Sequence, residues 1–468
     1  MRLSRAICPD NFCGVGMTIT RHYLTVNGRR VHYRRAGKGP PLLMVHQSPR
    51  SSAEYEALMG AWGAHFTCIA PDTPGFGQSD PLVKPDPDIT DYADAVVEFA
   101  RALGLKRTAA YGFHSGGIIL VAALKRHADL FSGLAIGGYA IWTPHEMAVF
   151  GECYLPPFRP SLYGEHLPWL WHRIMEQSWF FPWFDVRAET RLSGAHDDAA
   201  RVHAIIMEML DAGDAYRLGY GAVLRAPRDI PLPHEVTPPV LISAYDGDPL
   251  QAHIDRLGAM PTGWRATKVP TAAEHQAISL AFLQDYAGPL VEHFAVDHDA
   301  GFAALECDDF AGLLHWRGTG ARLAVHAPGS EGALTDAADS IVVDLPGHGL
   351  SSGWHGEVPT HRTAWEGVVR AAAQHFGTAA PTLPMAPKGD PAQLFPDLTP
   401  DRHGAYLTTA WSVIRARHFY APWYMASASS AIPFDPATIN ADHLALEHRA
   451  LLRATAARAF ATALQLGE

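Results

Sequence analysis

The sequence predicts a doubly wound α/β fold, and three observations carry that prediction. Short continuous apolar runs of strand length alternate with helix-patterned segments through the first 296 residues. The turns that follow those runs hold the small and polar residues that ligand sites use beyond the carboxyl ends of parallel strands. The chain of 468 residues is 48% apolar and 18% charged, with 41 Gly and 36 Pro dispersed along it, which excludes a disordered, collagen-like or coiled-coil protein. At this length, two domains or one large domain with insertions are expected.

The elements follow in order. Residues 1–17 read as a loose tail, with Met17 opening the first patterned segment. From Tyr23 the run YLTVNGRRVHYRRAG sets two alternating stretches around Asn27-Gly28, a short-range hairpin signal. PLLMVH, ending at His46, reads as a strand buried on both faces, and FTCIAPD, Phe66 to Asp72, repeats that signature. The helix-patterned SAEYEALMGAW lies between them. A helix (DYADAVVEFARALGL), a strand (TAAYGF), a helix from Ser115 and a strand (GLAIGGYAIW) continue the alternation.

Composition removes several partners. Lys plus Arg is 37 and Asp plus Glu is 48, a net charge of -11 with no dense basic run, so nucleic acid is not an expected partner. No apolar stretch approaches the roughly 20 residues that span a bilayer, and the first sixteen lack a signal-peptide pattern, so no membrane partner and a cytoplasmic location are expected. Cys8, Cys13, Cys68, Cys153 and Cys307 are odd in number and never at C-x-x-C spacing, which predicts neither a disulfide framework nor a thiolate metal site.

Three turns carry chemistry. His46-Gln47-Ser48-Pro49 follows the first buried strand, and Asp72-Thr73-Pro74-Gly75-Phe76-Gly77-Gln78-Ser79-Asp80 follows the second. Gly112-Phe113-His114-Ser115-Gly116-Gly117 sits at a strand-to-helix junction. Together they resemble the α/β-hydrolase fold, in particular its epoxide-hydrolase and haloalkane-dehalogenase branch, which carries H-G-x-P, D-x-P-G-x-G-x-S-D and a small-x-nucleophile-x-small elbow at these places. The resemblance covers residues 18–296. It implies a mostly parallel sheet, a helical cap at about 143–235, a small-molecule substrate and no cofactor.

Counting from Gly112 to Gly116 puts His114 at the centre of the elbow, where relatives carry Ser, Cys or Asp. PPVLISAYDGDPL resembles the acid strand, with Asp246 in the acid position and Asp248 two residues late. KVPTAAEHQAISLAFLQDYAGPLVEHF resembles the last strand, the catalytic His loop and the final helix, with His275 as the base. The resemblance thus implies His114, Asp246 and His275 as catalytic residues, His275 contacting both others, and backbone N–H groups of Ser48 and Ser115 as the oxyanion hole. Asp72 and His46 are read as structural. His166, Trp171, Trp183 and Phe113 are expected around the substrate, although the tryptophans also read as packing residues.

The second half begins like the first. Val31-His32-Tyr33-Arg34 is echoed by Leu314-His315-Trp316-Arg317, His46 by His326, and PDTPGFGQS by VDLPGHGLS, which matches Asp72 with Asp344. WHRIMEQSWFFPWF from Trp171 aligns without a gap to WSVIRARHFYAPWY from Trp411. From Asp72 to Trp171 is 99 residues but from Asp344 to Trp411 only 67, and the missing 32 would hold the elbow. Residues 297–468 are therefore expected to be a truncated, non-catalytic repeat, packed on the first through an apolar interface with the Trp171 and Trp411 segments close together.

The expected function is action on a small, largely apolar carbonyl compound, an ester, a lactone or an activated C–C bond, with His114 as nucleophile or general base. The alternatives are a cofactor-independent lyase or isomerase using His114 as base, a non-catalytic binding protein, and a metal site built from His114, His275 and Asp246.

Overall fold

A computed structural model describes residues 18–151, 153–226, 230–307 and 309–467. The expected tail of residues 1–17 lies outside them. The chain divides into a larger unit, Met17–Arg159 with His172–Asp297, and a smaller one formed by Pro160–Trp171 and His298–Glu468. The segment 160–171, expected to belong with the first half, thus belongs with the second.

The larger unit is built on eight strands. β1 (Thr20–Val26) and β2 (Arg29–Ala36) form the expected hairpin, with Asn27 at φ 51° and Gly28 at φ 76°, as a two-residue turn with primed twist requires. β3 (Pro41–Val45) and β4 (Thr67–Pro71) are buried at every position, which explains their unbroken apolar runs. β5 (Thr108–Phe113), β6 (Phe131–Gly137), β7 (Val240–Tyr245) and β8 (Trp264–Val269) complete the order β1-β2-β4-β3-β5-β6-β7-β8. β2 is antiparallel to both neighbours and β3 to β8 are parallel. This is the α/β-hydrolase fold. β6 stops short of the expected Trp142, because Gly138 turns the chain at φ 60° and its N–H reaches Ser243 O at 2.9 Å.

Helices cover both faces. α1 (Glu56–Trp62) and α8 (Ala272–Asp285) pack on one face, with Trp62, Tyr111, Leu241 and Phe282 in one core cluster. α2 (Ile89–Ala102) and α3 (Ser115–Arg126) pack on the other through Val96, Phe99, Ile119 and Leu120. α2 starts at a capping box in which the Asp88 side chain accepts from the Asp91 N–H. Between β6 and β7 come α4 (Pro144–Phe150), α5 (His166–Gln177), α6 (Ala199–Ala212) and α7 (Tyr216–Arg225). No helix among the described residues is long and apolar enough to cross a membrane.

The smaller unit has four strands, β9 (Ala300–Cys307), β10 (Phe310–Arg317), β11 (Arg322–Val325) and β12 (Ser340–Val343), in the order β11-β12-β10-β9. This is the order of β3-β4-β2-β1, with the same directions: a hairpin, an antiparallel pair and a parallel pair. Its helices are α9 (Arg362–Phe376), α10 (Pro391–Leu394), α11 (Ala405–Arg417), α12 (Ala441–Arg453) and α13 (Ala457–Leu466).

The two units also share individual bonds. Asp72 is held by His32 Nδ1 at 2.8 Å, the Ser52 N–H at 2.8 Å and the Gln78 N–H at 2.8 Å; Asp344 is held by His315 Nδ1 at 2.8 Å, the Gly332 N–H at 2.6 Å and the Leu350 N–H at 2.9 Å. The imidazoles of His46 and His326 each accept a backbone N–H at 2.9 Å, from Thr73 and Leu345. In both buried sites hydrogen bonds and positive neighbours win over desolvation, so each carboxyl is held far below its ordinary range. The ion pairs that tie these loops to helices differ between the units. In the larger unit Arg50 pairs with Glu208 on α6, whereas in the smaller Glu331, at the position of Ser51, lies 3.9 Å from Arg453 on α12.

Within the smaller unit the 160–171 segment packs on α11. Trp171 meets Tyr406 with ring centroids 6.1 Å apart, and the Trp411 Nε1–H donates to Leu162 O at 3.3 Å. A Cβ at Gly404 would come 2.5 Å from the Trp171 ring, and one at Gly164 would come 2.9 Å from Trp411, so both glycines are required for these approaches.

The seating of α3 on the sheet can be tested directly. A Cβ at Gly116 would lie 1.9 Å from Val45 O, whereas one at Gly60 in α1 meets nothing within 4 Å. Gly116→Ala is expected to cost about 3 kcal/mol or more, and Gly60→Ala to gain about 0.5–1 kcal/mol. Chemical denaturation of the two variants against the parent protein measures both.

Candidate active site

His114 occupies the turn between β5 and α3 with φ 46° and ψ -112°, a backbone conformation that L-residues adopt only under constraint. The constraint is the close approach of α3. Cβ atoms at Gly112, Gly116 and Gly117 would meet neighbouring atoms at 2.7, 1.9 and 2.4 Å. The Tyr55 hydroxyl ties the turn to the sheet, accepting from the Phe113 N–H at 3.2 Å and donating to Val45 O at 2.8 Å. The expected elbow geometry at His114 is present, and its ring stacks on Phe113 with centroids 4.1 Å apart.

The acid beside His114 is Asp248. Its Oδ1 lies 3.0 Å from His114 Nε2 and accepts the Leu250 N–H at 2.8 Å. Asp248 is 6% exposed, and Oδ2 is buried without a hydrogen-bond partner. Burial opposes its charge, yet His114 and the Leu250 N–H together hold the carboxyl below its ordinary range. Asp246, expected in this role, is exposed and accepts from the Gln251 side-chain amide. The reason is a turn: the Asp248 N–H closes on Tyr245 O at 3.0 Å with Gly247 at φ 91°. Asp246 becomes its outer corner, and Asp248 is carried back over the sheet.

His275 does not reach His114 or Asp246 by a hydrogen bond. It is 2% exposed, with Nε2 2.9 Å from the Tyr111 hydroxyl and Nδ1 2.8 Å from Ser243 Oγ, so both nitrogens are satisfied. The Phe113 ring packs edge-on against it at 5.9 Å. Burial pushes its pKa down to about 4. The expected loop before it is replaced by helix: the Thr271 side chain caps α8 by accepting from the Glu274 N–H at 3.1 Å, so His275 is already the fourth helical residue. The signal Thr271-x-x-Glu274 is present in the sequence as an N-cap pattern.

The loop expected to supply the oxyanion hole also departs from expectation. The Ser48 N–H is engaged, donating to Ser115 Oγ at 2.6 Å. The Ser115 N–H begins α3 and, like every first-turn N–H, has no intrahelical acceptor. Gln47 is fixed twice by Glu54, its N–H donating at 2.8 Å and its amide at 3.0 Å, while burial pushes the Glu54 carboxyl up to about 7.

The cavity over His114 is lined at its polar end by Gln47, Ser48 and Ser115, and elsewhere by apolar side chains including Ile118, Trp142, Phe181, Val223, Leu224 and Leu250. Tyr220 adds a hydroxyl to the wall, bonded to the Tyr154 hydroxyl at 2.8 Å. Of the four expected pocket residues, Phe113 supports the His114 ring from behind. The other three lie elsewhere. His166 bonds to Ser161 and packs on Trp411 at 5.0 Å, Trp171 packs on Gly404 and Tyr406, and Trp183 donates to Tyr154 O beside the buried Arg173 guanidinium. Within the run from Trp171, Phe181 lines the cavity, while Trp171 and Trp183 supply packing for the helices.

Among the described residues, a metal-compatible cluster occurs at His418, His443 and Glu447, in the smaller unit.

A family profile described as alpha/beta hydrolase fold matches residues 40–157. Haloalkane dehalogenase 2 of Mycobacterium tuberculosis is 34% identical over 120 residues, 26% of this chain and 42% of its own length. Soluble epoxide hydrolase of Corynebacterium sp. is 35% identical over 120 residues, 25% of this chain and 41% of its own. Cis-3-alkyl-4-alkyloxetan-2-one decarboxylase of Shewanella oneidensis is 34% identical over 122 residues, 25% and 37%. The chain spans about two fifths of the length of the curated relatives it matches. Among solved structures, epoxide hydrolase A from Mycobacterium thermoresistibile aligns with a TM-score of 0.44 and 17% identity over 60% of this chain and 100% of its own.

The buried imidazole of His275 gives a pH prediction. Its folded pKa, about 4, lies below the unfolded value of 6.5, so the unfolded chain takes up the proton first on acidification. Its contribution is complete above pH 6.5 and is lost as pH falls towards 4, at about 3 kcal/mol for the full shift. His275→Gln, whose amide can retain one of the two bonds, is expected to be less stable than the parent at pH 7.5 and to lose less stability between pH 7.5 and 4.5. Urea denaturation at the two pH values reads the difference.

Proposed function

We propose that this protein is an α/β-hydrolase-fold enzyme that cleaves a small, largely apolar ester or lactone, with the His114–Asp248 pair as its general base. One observation carries the reading: an imidazole is presented on a strained elbow at the polar end of an apolar cavity, with Nε2 committed to a buried carboxylate. Asp248 keeps the hydrogen on Nε2, so the lone pair is on Nδ1. In this reading Nδ1 removes a proton from water, the water oxygen bonds to the carbonyl carbon, and the C=O π pair moves to oxygen. Collapse of the adduct breaks the C–O bond, and the leaving alkoxide takes the proton back from Nδ1. The oxyanion is met by the Ser115 N–H and the Tyr220 hydroxyl, in place of the Ser48 N–H that Ser115 Oγ engages. We also read the smaller unit as a truncated repeat without catalytic residues, on the strength of its matching strand order and matching bonds at Asp344 and His326.

A second reading uses the same base as a lyase or isomerase, removing a proton next to a carbonyl. It is favoured by the engagement of the Ser48 N–H, which leaves one donor fewer for a tetrahedral oxyanion. The similarity to a protein named as an oxetanone decarboxylase points the same way.

Turnover of a panel of short-chain esters and lactones distinguishes these. His114→Ala is expected to lower kcat/KM by about 100-fold or more, and Asp248→Asn by a comparable factor through loss of the charge that supports the imidazolium. Asp246→Asn should leave kcat/KM within about twofold, because its carboxylate is exposed and turned away. Ester and lactone cleavage that survives His114→Ala refutes the assignment, and proton exchange without cleavage of any panel member supports the second reading.

A further inference from the structure

The smaller unit carries a second constellation, independent of the His114 site. His443 and Glu447 stand one turn apart on the same face of α12, and His418 is the C-cap of α11. His418 Nε2 lies 2.6 Å from Glu447 Oε2, and His443 Nε2 lies 3.8 Å from Glu447 Oε1. All three donor atoms fall within 4.8 Å of one another. Tetrahedral metal–ligand bonds of about 2.0–2.2 Å require donor separations of roughly 3.3–3.6 Å, and the observed spacings of 2.6 and 3.8 Å bracket them.

We propose that His418, His443 and Glu447 form a binding site for a late first-row divalent cation such as zinc, clipping α11 to α12. Two imidazoles and one carboxylate suit such an ion better than calcium or magnesium, which take oxygen ligands. The position is favourable for a cation, since carbonyl groups at the end of the 13-residue α11 present the negative end of its dipole there. The three residues are also particular to this unit. On the gapless match of Trp171 with Trp411, His418 corresponds to Ser178. On the N-caps Asp198 and Asn440, His443 corresponds to Arg201 and Glu447 to Ile205. None of the three is needed to form the shared helical frame.

Arg417 completes the picture. Its guanidinium lies 2.9 Å from Glu447 Oε1 with its side chain 28% exposed, so it neutralises the carboxylate when no ion is bound and can swing into solvent when one is. It therefore competes with the ion, a role that a purely structural ion-pair cluster would not show.

The test uses the full chain, stripped with chelator and titrated with Zn²⁺ against a chromophoric competitor. One tightly bound Zn²⁺ per chain is expected, lost in His443→Gln and in His418→Gln, with chelator-treated His443→Gln melting at the same temperature as the treated parent. Arg417→Gln is expected to tighten binding by about tenfold. Binding by the parent no tighter than by the His418→Gln/His443→Gln double variant overturns the proposal, as does tight binding that Arg417→Gln weakens.

Discussion

The close seating of α3 on the sheet is the constraint from which the candidate site follows. Glycine at 112, 116 and 117 removes the side chains that would hold helix and strands apart, and the elbow between them then has no relaxed conformation open to it. Residue 114 absorbs the mismatch as a positive φ, a strain of about 1–3 kcal/mol that the surrounding packing sustains. Its side chain is consequently held out over the sheet. Gly138 matters for the same reason, since a Cβ there would lie 2.9 Å from His114 Nε2. With the ring fixed, Asp248 needs only a two-residue turn excursion to meet it.

Much of this was legible in the sequence. Buried parallel strands announce themselves as unbroken apolar runs, Asn27-Gly28 sets its own turn, and the elbow position follows from counting between small residues. The acid and the second imidazole were not legible from position alone. Which of Asp246 and Asp248 faces inward depends on how one turn closes, and a shift of two residues reverses the answer. The fate of His275 depends on whether a loop or a helix precedes it, and the Thr271 cap decides for the helix. The aromatic frame from Trp171 was legible as packing but not as the one residue, Phe181, that reaches the cavity. Aromatic density indicates buried area without indicating which cavity, if any, it surrounds, and here Trp171 and Trp183 are used for packing.

His114 and His275 show how environment separates two identical side chains. His275 is enclosed by Tyr111, Ser243 and Phe113, and its two bonds are complete without a charge. His114 faces the cavity and has a carboxylate on one nitrogen only. The first is a structural member held neutral by burial, and the second presents its ring to the cavity.

The loop-to-helix ion pairs bear on how the chain sorts itself while folding. Two units that share a strand order and a set of loop bonds offer each other's helices as plausible but wrong partners, the situation in which related tandem sequences exchange segments. On the match of His46 with His326 and of the N-caps Asp198 and Asn440, an exchanged helix would set Arg50 opposite Ala450 and Glu331 opposite Asp211. Each correct pairing gives a largely buried charge its partner, and each exchanged one would withhold it. The charges at these two contacts thus make the wrong helix the costlier neighbour for either loop.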